Sequence, residues 1–377
     1  MKRTLVILLA ILLLVPATIF IGIHFQARAI ILALVERESE GKLAFEIGGL
    51  NIHYLDRTIE LSGVHLLPSN GNIKRIRARN VFLAPGSLWN FLLRKELSIE
   101  QLRIENGHVH IIRDKQTQSV NQEAQFSRDL GVLFSHMEKS AIDFQIDEID
   151  LTDCSFTIEE PDFTNLIEGG AFHASGLHLD RDSLLSGSAL ITFSLPKQKY
   201  FLSPHSYLAF DSLSFDSETK HIQIDSFEFL DQGIDSSSHT TILSDRLRIA
   251  NLDHIAFLTR GEINIDSLFV GTSYVDIAAR QQNRSNTFSL TSLQLPFIFV
   301  RHIIADGLKG DVSLTSSNKE TQFSFQDSRL HVDDLRHHPD SARILTSSHF
   351  RLELTRYQNL INNRTGAIRF DTIVVES

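Results

Sequence analysis

One cysteine, one tryptophan, two methionines and eight prolines are spread through 377 residues. The single Cys154 excludes an intramolecular disulfide, and it leaves the compartment open, since many exported proteins lack disulfides too. Basic charge is in deficit. Thirty-six Lys and Arg stand against 46 Asp and Glu, a net charge of −10, which argues against a nucleic-acid binder. The chain has no P-loop, no Gly-x-Ser-x-Gly and no dinucleotide fingerprint. No convergent acid–base set is visible, so the expectation is a protein that is not an enzyme and has no cofactor.

Four places invite a chemical reading, and each has a plainer one. His108-x-His110 puts two imidazoles on one strand face, but no third ligand is near in sequence, and the plainer reading is surface histidines. Asp333-Asp334 with His337-His338 reads as a loop with ligands, without the fixed spacing of a zinc or calcium site. Cys154 reads as a residue at a hairpin turn with no activating partner. Asn283-Arg-Ser285 and Asn363-Arg-Thr365 are glycosylation strings, meaningful only in a eukaryotic secretory route. No metal is expected.

Long apolar runs are absent except for one. After basic Lys2 and Arg3, Thr4 to Phe25 is uncharged and almost wholly apolar over 22 residues. A helix needs about 20 such residues to cross a hydrocarbon core. Signal-peptide apolar regions run to about 7–15, although Ala27-Arg28-Ala29 resembles a cleavage site. A retained anchor is the expectation, with Pro16 inside the span, the N-terminus in the cytoplasm and everything after it outside. The helix is expected to run on through Ile30–Val35 and stop near Gly41.

What the chain has in abundance is one spacing. Leu97, Ile99, Leu102 and Ile104 are two alternating apolar pairs, out of phase by one residue. In a flat strand the pairs would face opposite ways. One extra residue, absorbed as a bulge or kink at Glu100-Gln101, returns all four to one face. The spacing recurs at 45/47/50/52, 59/61/64/66, 76/78/81/83, 144/146/149/151, 172/174/177/179, 208/210/213/215, 222/224/227/229, 263/265/268/270, 298/300/303/305 and 368/370/373/375. Copies at 242/244/247/249, 325/327/330/332 and 345/347/350/352 each carry one polar replacement, Ser244, Asp327 and Ser347. The residues at the slip are often turn formers, as in Gly48-Gly49, Ser62-Gly63, Asp211-Ser212, Asp225-Ser226, Asp266-Ser267 and Asp371-Thr372.

The expected fold is mainly β: a transmembrane helix, then an elongated, curled antiparallel sheet with a few short helices. Residues 1–41 form the cytoplasmic stub, anchor and helical extension, and 42–377 a repetitive groove domain. Within it, 43–114 is an N-terminal unit, 128–139 an amphipathic helix with Leu130, Leu133, Phe134 and Met137 on one face, and 144–377 the continuing groove. Asn70-Gly71 reads as a hairpin turn and Leu88–Leu93 as a short helix behind Ser87. Asn106-Gly107 reads as a hairpin turn with a return strand over His108–Ile112, and Asp153-Cys154 and Thr272-Ser273 stand in the same place. The last copy ends at Val375 without a return strand, so a longer intact protein is expected.

The anchor, the helix to Gly41, the strand run, the short helix at 87–93, and Leu97-x-Ile99-x-x-Leu102-x-Ile104 followed by Asn106-Gly107 together resemble the AsmA-like family. That family includes TamB-type proteins and is related in architecture to chorein-type bridge-like lipid transfer proteins. The resemblance implies a single-pass inner-membrane protein of a Gram-negative cell, its bulk in the periplasm. It implies passage of phospholipid acyl chains along an apolar groove towards the outer membrane, in envelope biogenesis. Candidate groove residues are Ile99, Leu102, Ile104, Ile149, Leu151, Phe210, Leu213, Phe215, Ile224, Phe227, Phe229, Ile265, Leu268 and Val270. Lys74, Arg75, Arg77 and Arg79 are candidates for headgroup contact, against the plainer reading of a solvated strand face. Expected partners are the membrane, phospholipid and envelope proteins, not nucleic acid. The competing expectation is a membrane-anchored scaffold for envelope protein assembly, its apolar face sealed by packing.

Overall fold

The computed structural model describes residues 27–33, 35–36, 43–68, 73–87, 99–112, 147–176, 190–233, 238–253, 256, 262–281, 297–316, 319–337, 346–361 and 366–377. The Thr4–Phe25 span, the Asn70-Gly71 turn, the helices expected over 87–93 and 128–139, and both glycosylation strings lie wholly or mainly outside these residues. No helix among the described residues is long and apolar enough to cross a membrane.

The chain is mainly β. In order, the strands are β1 Leu43–His53, β2 Thr58–Pro68, β3 Ile73–Pro85, β4 Ile99–Ile112, β5 Glu148–Glu159, β6 Thr164–Ser175, β7 Leu190–Leu195, β8 Gln198–Ser203 and β9 Ser206–Phe210. They continue as β10 Ser212–Asp216, β11 His221–Gln232, β12 His239–Ala250, β13 Ile263–Val270, β14 Ser273–Gln281, β15 Ile298–Ser316, β16 Lys319–His337, β17 His349–Ile361 and β18 Gly366–Glu376. They fall into two compact units. The first holds β1–β4, most of β5 and the end of β6; the second holds the start of β6 and β7–β18.

In the first unit β1, β2, β3 and β4 pair antiparallel in sequence order. The register aligns the repeats. Ile52, Ile59, Leu83 and Leu102 form one row across four strands, and Leu50, Leu61, Val81 and Ile104 the next. Beyond the slip, Ile47, Val64, Ala78 and Gly107 form a third row. Ile59, Leu61 and Val64 are 0%, 2% and 6% exposed, so residues on both sides of the slip do share one face.

At Glu100-Gln101 the slip is the expected two-against-one bulge, for Ala84 pairs with Gln101 and Pro85 with Ile99, which leaves Glu100 extra on β4. Between β1 and β2 it takes another form. Ile47 pairs with Val64 and Gly49 with Ser62, so Gly48 and Gly63 drop out of pairing together and the register is unchanged. The same happens at Gly63 with Arg79, and at Arg79 with Asn106. A left-handed residue carries the turn of the backbone: Gly63 (φ 59°), Asn106 (φ 52°) and Asp153 (φ 54°). Glycine, Asn and Asp are the residues that take this conformation at least cost.

Two expectations are corrected. Asn106-Gly107 is no hairpin turn, for β4 runs through it as one strand to Ile112. A type I′ turn needs two left-handed residues in succession, and only Asn106 is one. Likewise β5 runs through Asp153-Cys154. At Thr272-Ser273, β13 and β14 are two halves of one line, because both pair with β12 and both with β15. The sheet is also mixed rather than wholly antiparallel. β13 and β14 run parallel to β15. Contacts between β4 and β5 climb together, Glu100 with Asp147 and His108 with Ser155, so these strands are parallel too. Both parallel steps follow long connections, 113–147 and 282–297, and a parallel neighbour needs a connection of about a dozen residues or more.

The second unit repeats the scheme across more strands. Leu195, Leu213, Ile224, Leu247, Val270, Ala305, Leu330, Leu352 and Val375 form one row over nine strands, every member apolar. Its fault line passes Asp211, Ser226, Asp245, Thr272 and Gly307, with Ser226 (φ 56°), Gly307 (φ 72°), Asp327 (φ 53°) and Arg356 (φ 51°) left-handed. In β16 the slip lies two residues earlier than expected, at 326–327. Asp327 is on the outside, paired with Arg356 at 3.1 Å, and Ser328 is the buried polar residue on the apolar side.

Small buried polar residues beside the fault take up the main-chain groups it frees. Ser244 Oγ donates to the Arg246 carbonyl (3.0 Å), Ser273 Oγ to that of Gly271 (2.9 Å) and Ser328 Oγ to that of Gln326 (3.4 Å). Cys154 Sγ stands likewise 3.7 Å from the Thr152 carbonyl. Ser328 also accepts from the Thr355 N–H at 3.0 Å. Further along, two buried amides stitch β6 to β8. Asn165 donates to the Phe201 carbonyl (2.9 Å) and accepts from its N–H (2.6 Å), and Gln198 does the same for Glu168 (2.6 and 3.2 Å).

Two substitutions test this account by chemical denaturation. Gly63→Val forces a branched side chain into the left-handed region and lowers stability by about 1–2 kcal/mol, whereas Gly63→Asn costs clearly less. Ser328→Ala leaves a buried carbonyl and N–H without their hydroxyl and costs about 1–3 kcal/mol. An unchanged midpoint in both would show that the fault line does not carry these constraints.

Candidate functional site

Among the described residues, a helix of two turns covers the apolar ladder of the first unit, and no helix of that length covers the ladder of the second. In the first, a helix over 27–33 and 35–36 presents Ala27, Ile30 and Ile31 at i, i+3 and i+4, all buried among Ile47, Ile52, Ile59, Leu61 and Val64. Arg28 donates to the Ile47 carbonyl at 2.9 Å and fixes the helix to β1. Candidate residues Ile99, Leu102, Ile104 and Ile149 belong to this packed cluster, and Leu151 is half-buried beside it. This contact had a signal in the sequence, the i, i+3, i+4 spacing of Ala27, Ile30 and Ile31, although the segment read only as an extension of the anchor.

In the second unit Leu213, Phe215, Ile224, Phe227, Phe229, Leu268 and Val270 are half-buried, as is Phe210. Ile265 is buried, in a smaller cluster with Leu252 and Val300. Among the described residues no helix lies over this ladder comparable to the one over the first unit. Its side chains pack sideways on one another within the sheet and stay partly open above it. With a strand spacing of about 4.8 Å, nine strands abreast make an apolar strip on the order of 40 Å long.

The opposite face carries charge pairs, beside the exposed Leu243, Phe269 and Tyr274. Carboxylates at the fault and at a second slip reach basic residues on the next strand: Asp211 with Lys197 (3.0 Å), Asp225 with Arg246 (3.3 Å), Asp266 with Arg301 (2.7 Å) and Asp306 with Arg329 (3.6 Å). That explains why Asp recurs at the slips. These pairs are exposed and each contributes little to stability. Lys74, Arg77 and Arg79 are exposed on β3, and Arg75 is half-buried.

The sequence-level metal and thiol readings come out differently. His108 Nδ1 lies 2.8 Å from Ser155 Oγ, a polar bridge between β4 and β5. Asp333 is in the strand β16, not a loop, and its neighbours are His302 and His331 at 2.7 and 2.8 Å, while His337 is buried elsewhere. Those two hydrogen bonds, His302 first, hold the Asp333 carboxyl below the usual carboxylate range. A second group, Glu148, Asp150 and His173, has His173 Nδ1 2.6 Å from Asp150 and 3.9 Å from Glu148. Neither group was legible, since cross-strand partners lie tens of residues apart; the His331-x-Asp333 spacing was the only hint.

No protein-family model matches the chain, and no curated protein matches it.

Cys154 sits inside β5 and not at a turn, its sulfur 2.9 Å from where a Cβ on Gly107 would stand. Burial pushes its thiol up from the ordinary value, outweighing the lowering by hydrogen bonds to Gly107 and Thr152, and nearby Asp153 pushes it further. The folded chain is therefore expected to resist a disulfide-exchange colour reagent at neutral pH and to react fully once denatured. Rapid reaction of the native thiol would contradict this placement.

Proposed function

We propose that this protein is a membrane-anchored, non-enzymatic lipid-handling protein of AsmA-like type, which carries phospholipid acyl chains along the half-open apolar ladder of its second unit. In this reading Thr4–Phe25 spans the inner membrane, the bulk of the chain lies in the periplasm, and the lipid passes towards the outer membrane during envelope biogenesis. The observation that carries the reading is the contrast between the units. One eight-residue motif is packed under a helix in the first and, among the described residues, is half-buried along much of a nine-strand row in the second, apart from the buried Ile265, Val300, Ala305 and Val332. Contiguous apolar surface of this extent marks a site of interaction. An acyl chain suits a surface that is long and apolar and asks for no hydrogen bonds along its row. Lys74, Arg77 and Arg79 are placed on the polar face of the anchor-proximal unit, where anionic headgroups would be met.

A scaffold for envelope proteins is the second reading. It is favoured by β18, whose Ile368, Phe370, Val374 and Val375 are 44–48% exposed, a surface suited to protein.

Mass spectrometry of the gently purified full chain separates the two. The lipid reading expects bound phospholipid that falls severalfold in Leu213→Asp and Phe227→Asp, with circular dichroism unchanged. A chain that brings down envelope proteins and no lipid, or variants that keep their lipid, would overturn it.

A further inference from the structure

The polar face of the second unit carries a cluster that the apolar ladder does not use. His302 on β15 stands directly opposite Asp333 on β16. His331 precedes Asp333 by two residues on the same strand and so shares its face. His302 Nδ1 and His331 Nε2 lie 2.7 and 2.8 Å from the same carboxylate oxygen, Oδ1. All three donor atoms lie within 4.8 Å of one another. On the other side, His349 of β17 stands opposite Asp333, its ring centroid 6.4 Å from that of His331.

We infer that His302, His331 and Asp333 form a binding site for a divalent transition-metal ion, with zinc the best match and His349 placed to supply a fourth ligand by turning its ring. Three observations carry this. First, the donor set is two imidazoles and one carboxylate, which suits Zn²⁺, Cu²⁺, Ni²⁺ or Co²⁺ and not the all-oxygen preference of Mg²⁺ or Ca²⁺. Second, the donors come from adjacent strands that pair in one register from His302–Asp333 to Asp306–Arg329, so the site is held by main-chain pairing and not by a loop. Third, all three side chains are half-exposed, which leaves open positions for entry and for water ligands. Arg351, opposite His331, is engaged by Glu376 at 3.9 Å, which offsets the one positive charge facing the cluster from β17. On binding, each ring nitrogen exchanges its contact with Oδ1 for a bond to the ion; a neutral imidazole shifts its proton through water to the other ring nitrogen, and an imidazolium releases one proton to water. The Glu148, Asp150 and His173 group lacks a second imidazole and is the poorer zinc site.

The test uses the full chain in detergent micelles, titrated with Zn²⁺ by calorimetry and with Co²⁺ by visible absorption. The expected result is one saturable site whose affinity falls at least about tenfold in His331→Gln and in Asp333→Asn. These replacements keep polar side chains that can still hydrogen-bond, and circular dichroism checks the fold. His205→Ala, in the exposed turn between β8 and β9, leaves the affinity unchanged. Absence of saturable uptake by the parent chain, or equal affinity in the two cluster variants, would overturn the inference.

Discussion

A β-strand keeps its apolar side chains on one face only while alternation is unbroken, and this chain breaks it deliberately in step across neighbouring strands. Had one strand slipped alone, its pairing would have shifted by a residue and the mismatch would have passed to every strand after it. Between β1 and β2 the break falls on both partners at the same level, whereas between β15 and β16 two opposite register shifts on either side of Leu308 cancel. Phe45 with Leu66 and Ile52 with Ile59 therefore obey one register on either side of it. At the fault, Gly63 and Asn106 supply the left-handed backbone in the first unit and Ser226 and Gly307 in the second. A repeated sequence spacing thus becomes an aligned structural fault, and the alignment keeps the apolar rows continuous from strand to strand.

Continuity alone does not bury a face. Sheets are normally hidden by a second layer, and the two units differ in whether the described residues supply one. The short helix of Ala27, Ile30 and Ile31 brings the rows beneath it close to complete burial. The rows of β10–β18, built from the same kinds of residue, remain half-open. Composition cannot account for this, since Leu, Ile, Val and Phe fill both. What differs, among the described residues, is the layer above.

Strand positions and the shared face were legible because they rest on local alternation, a property of neighbouring residues. Three features were not. Asn106-Gly107 favours a hairpin turn and a one-residue kink equally, and only the paired strands on either side decide between them. The parallel steps at β4–β5 and β13–β15 depend on how long connections return, which spacing does not encode. The pairing of His302 with Asp333 joins residues 31 apart in sequence, and only register brings them together. Reading Asp327 as the polar member of its repeat failed for a similar reason: the slip in β16 lies two residues earlier, so Ser328 takes the inward place.

Those inward serines bear on what the ladder could carry. Ser244, Ser273 and Ser328 would look in the sequence like polar interruptions that any apolar guest should avoid. Each is nearly or wholly buried, and each hydroxyl donates to a main-chain carbonyl beside the fault. A hydroxyl so engaged asks nothing of a neighbouring molecule, and its small size keeps the row low and not obstructed. The fault line therefore crosses the sheet without opening a gap of unsatisfied polar groups in the apolar strip. In the proposed role, an acyl chain lying across nine strands would meet hydrocarbon on either side of the fault, and at the fault itself polar atoms already satisfied by the backbone.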